Sequence, residues 1–126
     1  MITRIYLALV GLAYLGLAGW CIARPQRTAD AVGFQLQPGA GQSEYLTVYG
    51  GLQLALAMIF LWPLVDPGVE RFSLMVCLIV HACLVLMRST SFLLYAGIPS
   101  MTYTLAVVEW IILLAAVWRQ IGRAHV

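Results

Sequence analysis

Four long stretches almost free of charge constrain this chain more than any other feature of its sequence. Residues 5–23 and 45–65 carry no charged side chain, residues 72–95 contain one arginine, and residues 98–118 contain one glutamate. A membrane-spanning helix needs about 20 mostly apolar residues. Because a chain in lipid must satisfy its own backbone hydrogen bonds, each stretch is expected to be helical. The sequence therefore predicts a single-domain, all-α integral membrane four-helix bundle, with helices at about residues 4–23, 44–63, 70–95 and 99–120.

The composition agrees with a membrane protein and excludes several other classes. Hydrophobic residues make up 63% of the 126 residues and charged residues only 10%, against roughly 25% charged residues in a soluble domain. A net charge of +2 is too small to indicate a nucleic-acid partner. The expected contact is membrane lipid, with a membrane-protein partner or a homo-oligomer left open.

The first connection, residues 24–43, is much longer than the other two. A short interfacial helix on the membrane surface is predicted by Pro25 and Asp30 together with the apolar residues Ala29, Val32 and Phe34. The segment Gln37-Pro38-Gly39 is expected to end it. The other connections are tight turns, at Asp66-Pro67-Gly68 and at Gly97-Ile98-Pro99. Glycines of the first two spans predict close helix–helix contacts; they are Gly11, Gly16, Gly19, Gly50 and Gly51.

Arginines are distributed unequally between the two sides of the predicted bundle. Four spans place both termini on one side, and that side carries four arginines, whereas the other side carries Arg24 and Arg27. The positive-inside rule therefore favours cytoplasmic termini for a multi-pass protein. The four arginines are Arg4, Arg71, Arg119 and Arg123.

Three polar residues are predicted to lie at one depth on three different helices. Counting from the nearest connection, Arg88 lies about 12 Å deep, Gln53 about 13 Å and Glu109 about 16 Å, at 1.5 Å per residue. An unpaired arginine at mid-membrane costs about 2.5–3.5 kcal/mol on insertion scales, and a guanidinium can bind a carboxylate through two parallel hydrogen bonds. We therefore expect an Arg88–Glu109 salt bridge, with Gln53 and a tyrosine hydroxyl as its further hydrogen-bond partners.

Two interpretations of this pair remain open. It could serve only to fix the helix register, or it could anchor the polar head group of an otherwise apolar ligand, because intramembrane ionisable residues often mark functional sites. Glu44 is either a helix-start acid favoured by the helix dipole or a residue at the entrance of the site. The candidate ligand-binding residues are Glu44, Tyr49, Gln53, His81, Arg88 and Glu109.

No catalytic residues, cofactor or metal site are predicted from the sequence. Cys77 and His81 are four residues apart on one helical face, but two ligands do not make a metal site. The three cysteines lie in apolar stretches and none forms a C-x-x-C pair, so that we interpret them as apolar packing residues rather than a disulfide framework.

The order of these features resembles a bacterial family of unknown function. The resemblance is carried by the glycine-rich first helix, by Glu44-x-x-x-x-Tyr49-Gly50-Gly51-Leu52, by Arg88 and by Glu109. Members of that family are small four-helix proteins of the bacterial inner membrane, similar in build to the DoxX-like group. The resemblance implies a four-helix bundle without an established activity. DoxX-like proteins include accessory partners of membrane oxidoreductases, which by analogy favours a role as an accessory subunit.

Three functional hypotheses follow from the sequence. The first is a non-enzymatic inner-membrane protein, either an accessory subunit of a membrane complex or a binder of a small apolar ligand such as a lipid or a quinone. The second is a small-molecule transporter, although the first span carries no charge. The third is a membrane enzyme acting on lipid or quinone, with Glu109 or His81 as an acid–base group.

Overall fold

The computed structural model describes residues 1–124, and it is a bundle built around four long apolar helices. Each of the four is long and apolar enough to cross a membrane, which confirms the predicted all-α membrane bundle. A fifth, short helix lies in the first connection, where the sequence predicted one. The five helices are α1 (Ile2–Ala23), α2 (Pro25–Ala31), α3 (Ala40–Leu64), α4 (Glu70–Leu94) and α5 (Ser100–Ala124).

The third helix changes its winding along its length. It is α-helical over Ala40–Tyr45 and Gln53–Leu61, but the intervening segment Leu46–Leu52 is a π-helix. A 3₁₀ turn, Trp62–Leu64, ends it. The Asp66 side chain then accepts a hydrogen bond from the Gly68 backbone N–H at 2.8 Å, which forms the tight turn predicted there.

The two ends of the bundle are built differently, and we name them by what they contain. The terminal end holds the first turn of α1, the α3–α4 turn and the last turns of α5. The loop end holds α2 and the α4–α5 turn, residues 95–99. At the terminal end, Glu70 accepts hydrogen bonds from Arg4 Nε at 3.0 Å and Arg123 Nη1 at 2.9 Å, and Arg119 donates to Thr3. These contacts join α1, α4 and α5.

The chain folds as two antiparallel hairpins, α1 with α3 and α4 with α5. Gly11 and Gly50 allow the close approach of the first pair. A Cβ atom on Gly11 would lie 2.7 Å from Leu61 Cγ, and one on Gly50 would lie 2.9 Å from Ile22 Cγ1. The other glycines predicted to make helix contacts do not do so, because a Cβ atom there would have open space; they are Gly16, Gly19 and Gly51.

The hairpins meet in a core beside the terminal end, which contains Leu7, Phe60, Leu74 and Cys77, all fully buried. A second buried cluster lies at the loop end, where α2 folds back over the bundle. There Tyr45 donates a hydrogen bond to Thr28 at 2.9 Å and packs with Cys21 and Ala29. Tyr45 is only 5% exposed because α2 covers it.

Candidate functional site

The centre of the candidate site is the salt bridge between α4 and α5. Arg88 donates from Nε to Glu109 Oε2 and from Nη2 to Oε1, both at 2.6 Å, so that the predicted pair is present in the two-bond arrangement. The side chains are 24% and 12% exposed. A guanidinium has five N–H donors, and two of them bind Glu109. The other three make no hydrogen bond to any residue in the described range 1–124.

Gln53 lies at the same position along the bundle axis as the Arg88–Glu109 pair. A contact between α3 and α4 that is nearer the terminal end shows this. The rings of Phe60 on α3 and His81 on α4 are 6.3 Å apart. Gln53 precedes Phe60 by seven residues and Arg88 follows His81 by seven. Because α3 and α4 are antiparallel, both residues lie about 10 Å nearer the loop end than that contact.

The expected hydrogen bond from Gln53 to the pair is nevertheless not formed. Among residues 1–124, Gln53 Oε1 is the one buried side-chain oxygen or nitrogen atom without a hydrogen-bond partner. Buried polar groups in folded proteins are nearly always paired, and an unpaired one costs about 1–3 kcal/mol. Gln53 is therefore the residue of this layer that has a buried polar atom without a partner in the described chain.

Tyr49 lies in the π-helical segment of α3, one turn nearer the loop end than Gln53. Its ring stacks on Tyr45, with centroids 4.5 Å apart. The tyrosine hydroxyl expected to hydrogen-bond to the ion pair does not do so within the described chain. π-Helical turns occur frequently at functional sites, and this one adjoins the polar layer.

His81 is fully buried, and its two ring nitrogens both have partners. Nδ1 lies 2.8 Å from the Cys77 carbonyl oxygen, which can only accept, so that we assign the ring proton to Nδ1. Nε2 must then accept the hydrogen bond from the Tyr14 hydroxyl, at 3.2 Å. This arrangement uses the neutral imidazole and ties α4 to α1.

Tyr14 and Tyr6 are functional candidates that the sequence interpretation missed. Tyr14 binds His81, and the Tyr6 hydroxyl donates to the Ile112 carbonyl at 2.8 Å, so that α1 reaches both helices of the second hairpin. The spacing of Leu7, Tyr14 and Cys21, each seven residues apart, places Tyr14 on the interior face of α1 and could have indicated its role.

The other predicted residues are placed less centrally. Glu44 is exposed near the start of α3, about 13 Å from the level of Gln53, and its carboxylate takes part in none of the three salt bridges among residues 1–124. Cys77 Sγ lies 3.6 Å from His81 Nδ1. No third histidine, cysteine or carboxylate joins these two in the part of the chain that the structure describes.

Comparison with known sequences gives the family but no activity. The family described as a domain of unknown function, DUF4345, matches residues 2–120. The chain belongs to the DUF4345 family. The match includes α1, α3 and α4 of this DUF4345 protein, α5 as far as residue 120, and every candidate site residue. No curated protein and no solved structure matches the DUF4345 chain. The resemblance to DoxX-like proteins stays a prediction.

Proposed function

We propose that this DUF4345 protein binds a small amphipathic ligand, a lipid or a quinone, by its polar head group beside Arg88 and Glu109. In this role it is a non-enzymatic membrane protein that acts on its own or as the accessory subunit of a membrane complex. The ligand's apolar body would lie among the helices and the surrounding lipid tails.

One observation carries the proposal: the unpaired Gln53 Oε1 lies at the level of a guanidinium with three unused N–H donors. A carbonyl or ether oxygen on a ligand would accept from Arg88, and a ligand hydroxyl would donate to Gln53. Such a head group would supply the partners that the protein lacks, and the cost of an unpaired buried oxygen would be offset on binding.

The charge at this level supports a neutral head group. Glu109 compensates the charge of Arg88 through two short hydrogen bonds, so that a phosphate or carboxylate would bring an uncompensated charge into the membrane interior. Quinones, quinols and uncharged glycerolipids carry the required oxygens without a charge. The two-bond Arg88–Glu109 geometry also argues against a transporter in which Glu109 exchanges protons freely.

The Gln53→Leu variant tests the proposal. We expect it to bind a short-chain benzoquinol with an apolar tail about fivefold more weakly, because the hydrogen bond of about 1 kcal/mol from a quinol hydroxyl to Gln53 is lost. Its thermal stability should not fall, since leucine removes an unpaired buried oxygen. Binding is measured by titration of the purified protein in lipid nanodiscs, with co-purified lipids identified by extraction and mass spectrometry.

Gln35→Leu is the matched control, because Gln35 is exposed in the first connection. This variant should bind the quinol with the same affinity as the unsubstituted protein. Equal affinity in the two variants would contradict the proposed head-group site. The proposal would also be contradicted if the unsubstituted protein showed no saturable binding of the quinol or of any neutral lipid.

We further propose that the protein lies in a bacterial inner membrane with both termini in the cytoplasm. The terminal end carries four arginines against Asp66 and Glu70, whereas at the loop end Arg24 and Arg27 are balanced by Asp30 and Glu44. The terminal end thus carries twice as many arginines as the loop end, and the positive-inside rule, which counts positive residues, assigns it to the cytoplasm. A C-terminal green fluorescent protein fusion should fluoresce, whereas a C-terminal alkaline phosphatase fusion should be inactive. The reverse pattern would refute this orientation.

A further inference from the structure

The terminal end carries a polar cleft between α4 and α5 that the ligand site does not use. Its volume is about 320 Å³, and its lining is Arg71, Gln120, Arg123 and Ala124. Arg71 is exposed and takes part in none of the three salt bridges found within residues 1–124. We call this feature the headgroup cleft.

The charge around the headgroup cleft is not balanced by the protein. Arg123 shares the carboxylate of Glu70 with Arg4, so that this group of three keeps one positive charge. Arg119 is hydrogen-bonded to the neutral hydroxyl of Thr3. An anion in the headgroup cleft would therefore meet Arg71 directly and the excess positive charge of its neighbours.

An apolar groove lies at the same end, between α3 and α4. Its volume is about 430 Å³, and its lining is almost entirely apolar: Ala55, Met58, Ile59, Trp62, Val69, Phe72 and Ser73. The Ser73 hydroxyl donates to the Ile59 carbonyl at 2.8 Å and the residue is buried, so that it offers no proton to a ligand. The groove is remote from the ion pair, since Ser73 precedes Arg88 by fifteen residues, about 22 Å along α4.

The cleft and the groove lie at one depth on neighbouring faces of α4. Arg71 lines the cleft and Phe72, the next residue, lines the groove. Exposed tryptophans at this end, Trp62 and Trp118, are typical of the level of the lipid head groups. A molecule with a charged head at Arg71 would thus have an apolar channel for one chain beside it, extending from Trp62 to Ala55, about 10 Å.

We propose that the headgroup cleft and this apolar groove together bind one anionic phospholipid of the membrane leaflet at the terminal end. Arg71 and Arg123 hold the phosphate, with the Gln120 side-chain amide as a further donor. One acyl chain lies over Phe72 in the groove. Arginine forms bidentate, charge-assisted hydrogen bonds with phosphate, and basic pockets between transmembrane helices suit anionic head groups. The site is separate from the Arg88 level, so that either proposal can fail alone.

The Arg71→Gln variant tests the charge at this site. The full-length protein is reconstituted in nanodiscs of phosphatidylcholine with a minor share of phosphatidylglycerol, and the lipids that remain bound are counted by native mass spectrometry. We expect the variant to retain about fivefold less phosphatidylglycerol, the effect of one arginine near the surface. Arg27→Gln, an exposed arginine at the loop end, should retain the normal amount.

Three results would overturn the charge assignment. Equal retention by the Arg71→Gln and Arg27→Gln variants would exclude the headgroup cleft. Retention of phosphatidylcholine equal to that of phosphatidylglycerol would show that the charge of the head group does not determine binding. Displacement of the lipid by millimolar inorganic phosphate alone would indicate a site for free anions. A melting temperature of the Arg71→Gln variant equal to that of the unsubstituted protein excludes misfolding as the cause.

The Ala55→Trp variant tests the groove, because an indole there would fill the space assigned to the acyl chain. We expect at least a twofold loss of retained phosphatidylglycerol, whereas Ala82→Trp, at an exposed alanine of α4, should cause none. Equal retention in these two variants would refute the assignment of the groove to the same lipid.

Discussion

Replacement of Glu109 by leucine is expected to lower the free energy of unfolding by about 3 kcal/mol. The guanidinium of Arg88 would lose both of its short hydrogen bonds and remain in the apolar interior without a counter-charge. The loss is measured by unfolding the purified protein with increasing sodium dodecyl sulfate in mixed micelles, with helix content followed by circular dichroism.

The double variant Arg88→Leu/Glu109→Leu is the control, and it should regain most of the lost stability. Removing both charges removes both desolvation penalties, as in other buried pairs replaced by apolar residues. If the double variant were as unstable as the single one, loss of packing rather than an unpaired charge would explain the effect. If the double variant is stable but no longer binds the quinol, the pair serves ligand binding and is not required for helix register.

Replacement of Gly11 by leucine is expected to destabilise the first hairpin by about 2–3 kcal/mol. A Cβ atom there would lie 2.7 Å from Leu61 Cγ and 3.2 Å from the Leu61 backbone nitrogen. The side chain of Leu61 could move aside, but its backbone could not, so that α1 and α3 would have to separate. The same unfolding assay measures the effect.

Gly16→Leu is a matched control on the same helix. A Cβ atom at Gly16 has no neighbour within 4 Å, so that the leucine would face lipid, and we expect a change within about 0.5 kcal/mol. Equal destabilisation by the two substitutions would mean that intrinsic helix properties, rather than the contact with Leu61, determine the effect.

The fold was predictable because its main determinant is local. Runs of about 20 apolar residues can only be helices in lipid, and the Asp66-Pro67-Gly68 turn follows from its own residues. The Arg88–Glu109 pair was predictable for a related reason: the tight turn between α4 and α5 fixes their register, and an unpaired charge in lipid is too costly to leave.

Other parts of the site depend on contacts that no local pattern contains. The winding of α3 changes at Leu46–Leu52, and nothing in those residues distinguishes a π-helix from an α-helix. The seven-residue spacing places Tyr14 on the interior face of α1, but the sequence does not indicate that His81 is its partner. The sequence likewise does not distinguish Gly11 from Gly16. Only the approach of α3 to α1 makes Gly11 a contact position and leaves space beside Gly16.

The fold of the first connection over the loop end decides how a molecule could reach the interior. Helix α2 packs on Tyr45, and a Cβ atom on Gly33 would lie 3.4 Å from Pro99, so that the first connection covers part of that end. We expect the proposed ligand to reach Arg88 sideways, from the lipid tails between the hairpins. Occupancy would follow the mole fraction of the ligand in the bilayer rather than its aqueous concentration, so that dilution of the membrane with inert lipid, at constant total ligand, should empty the site.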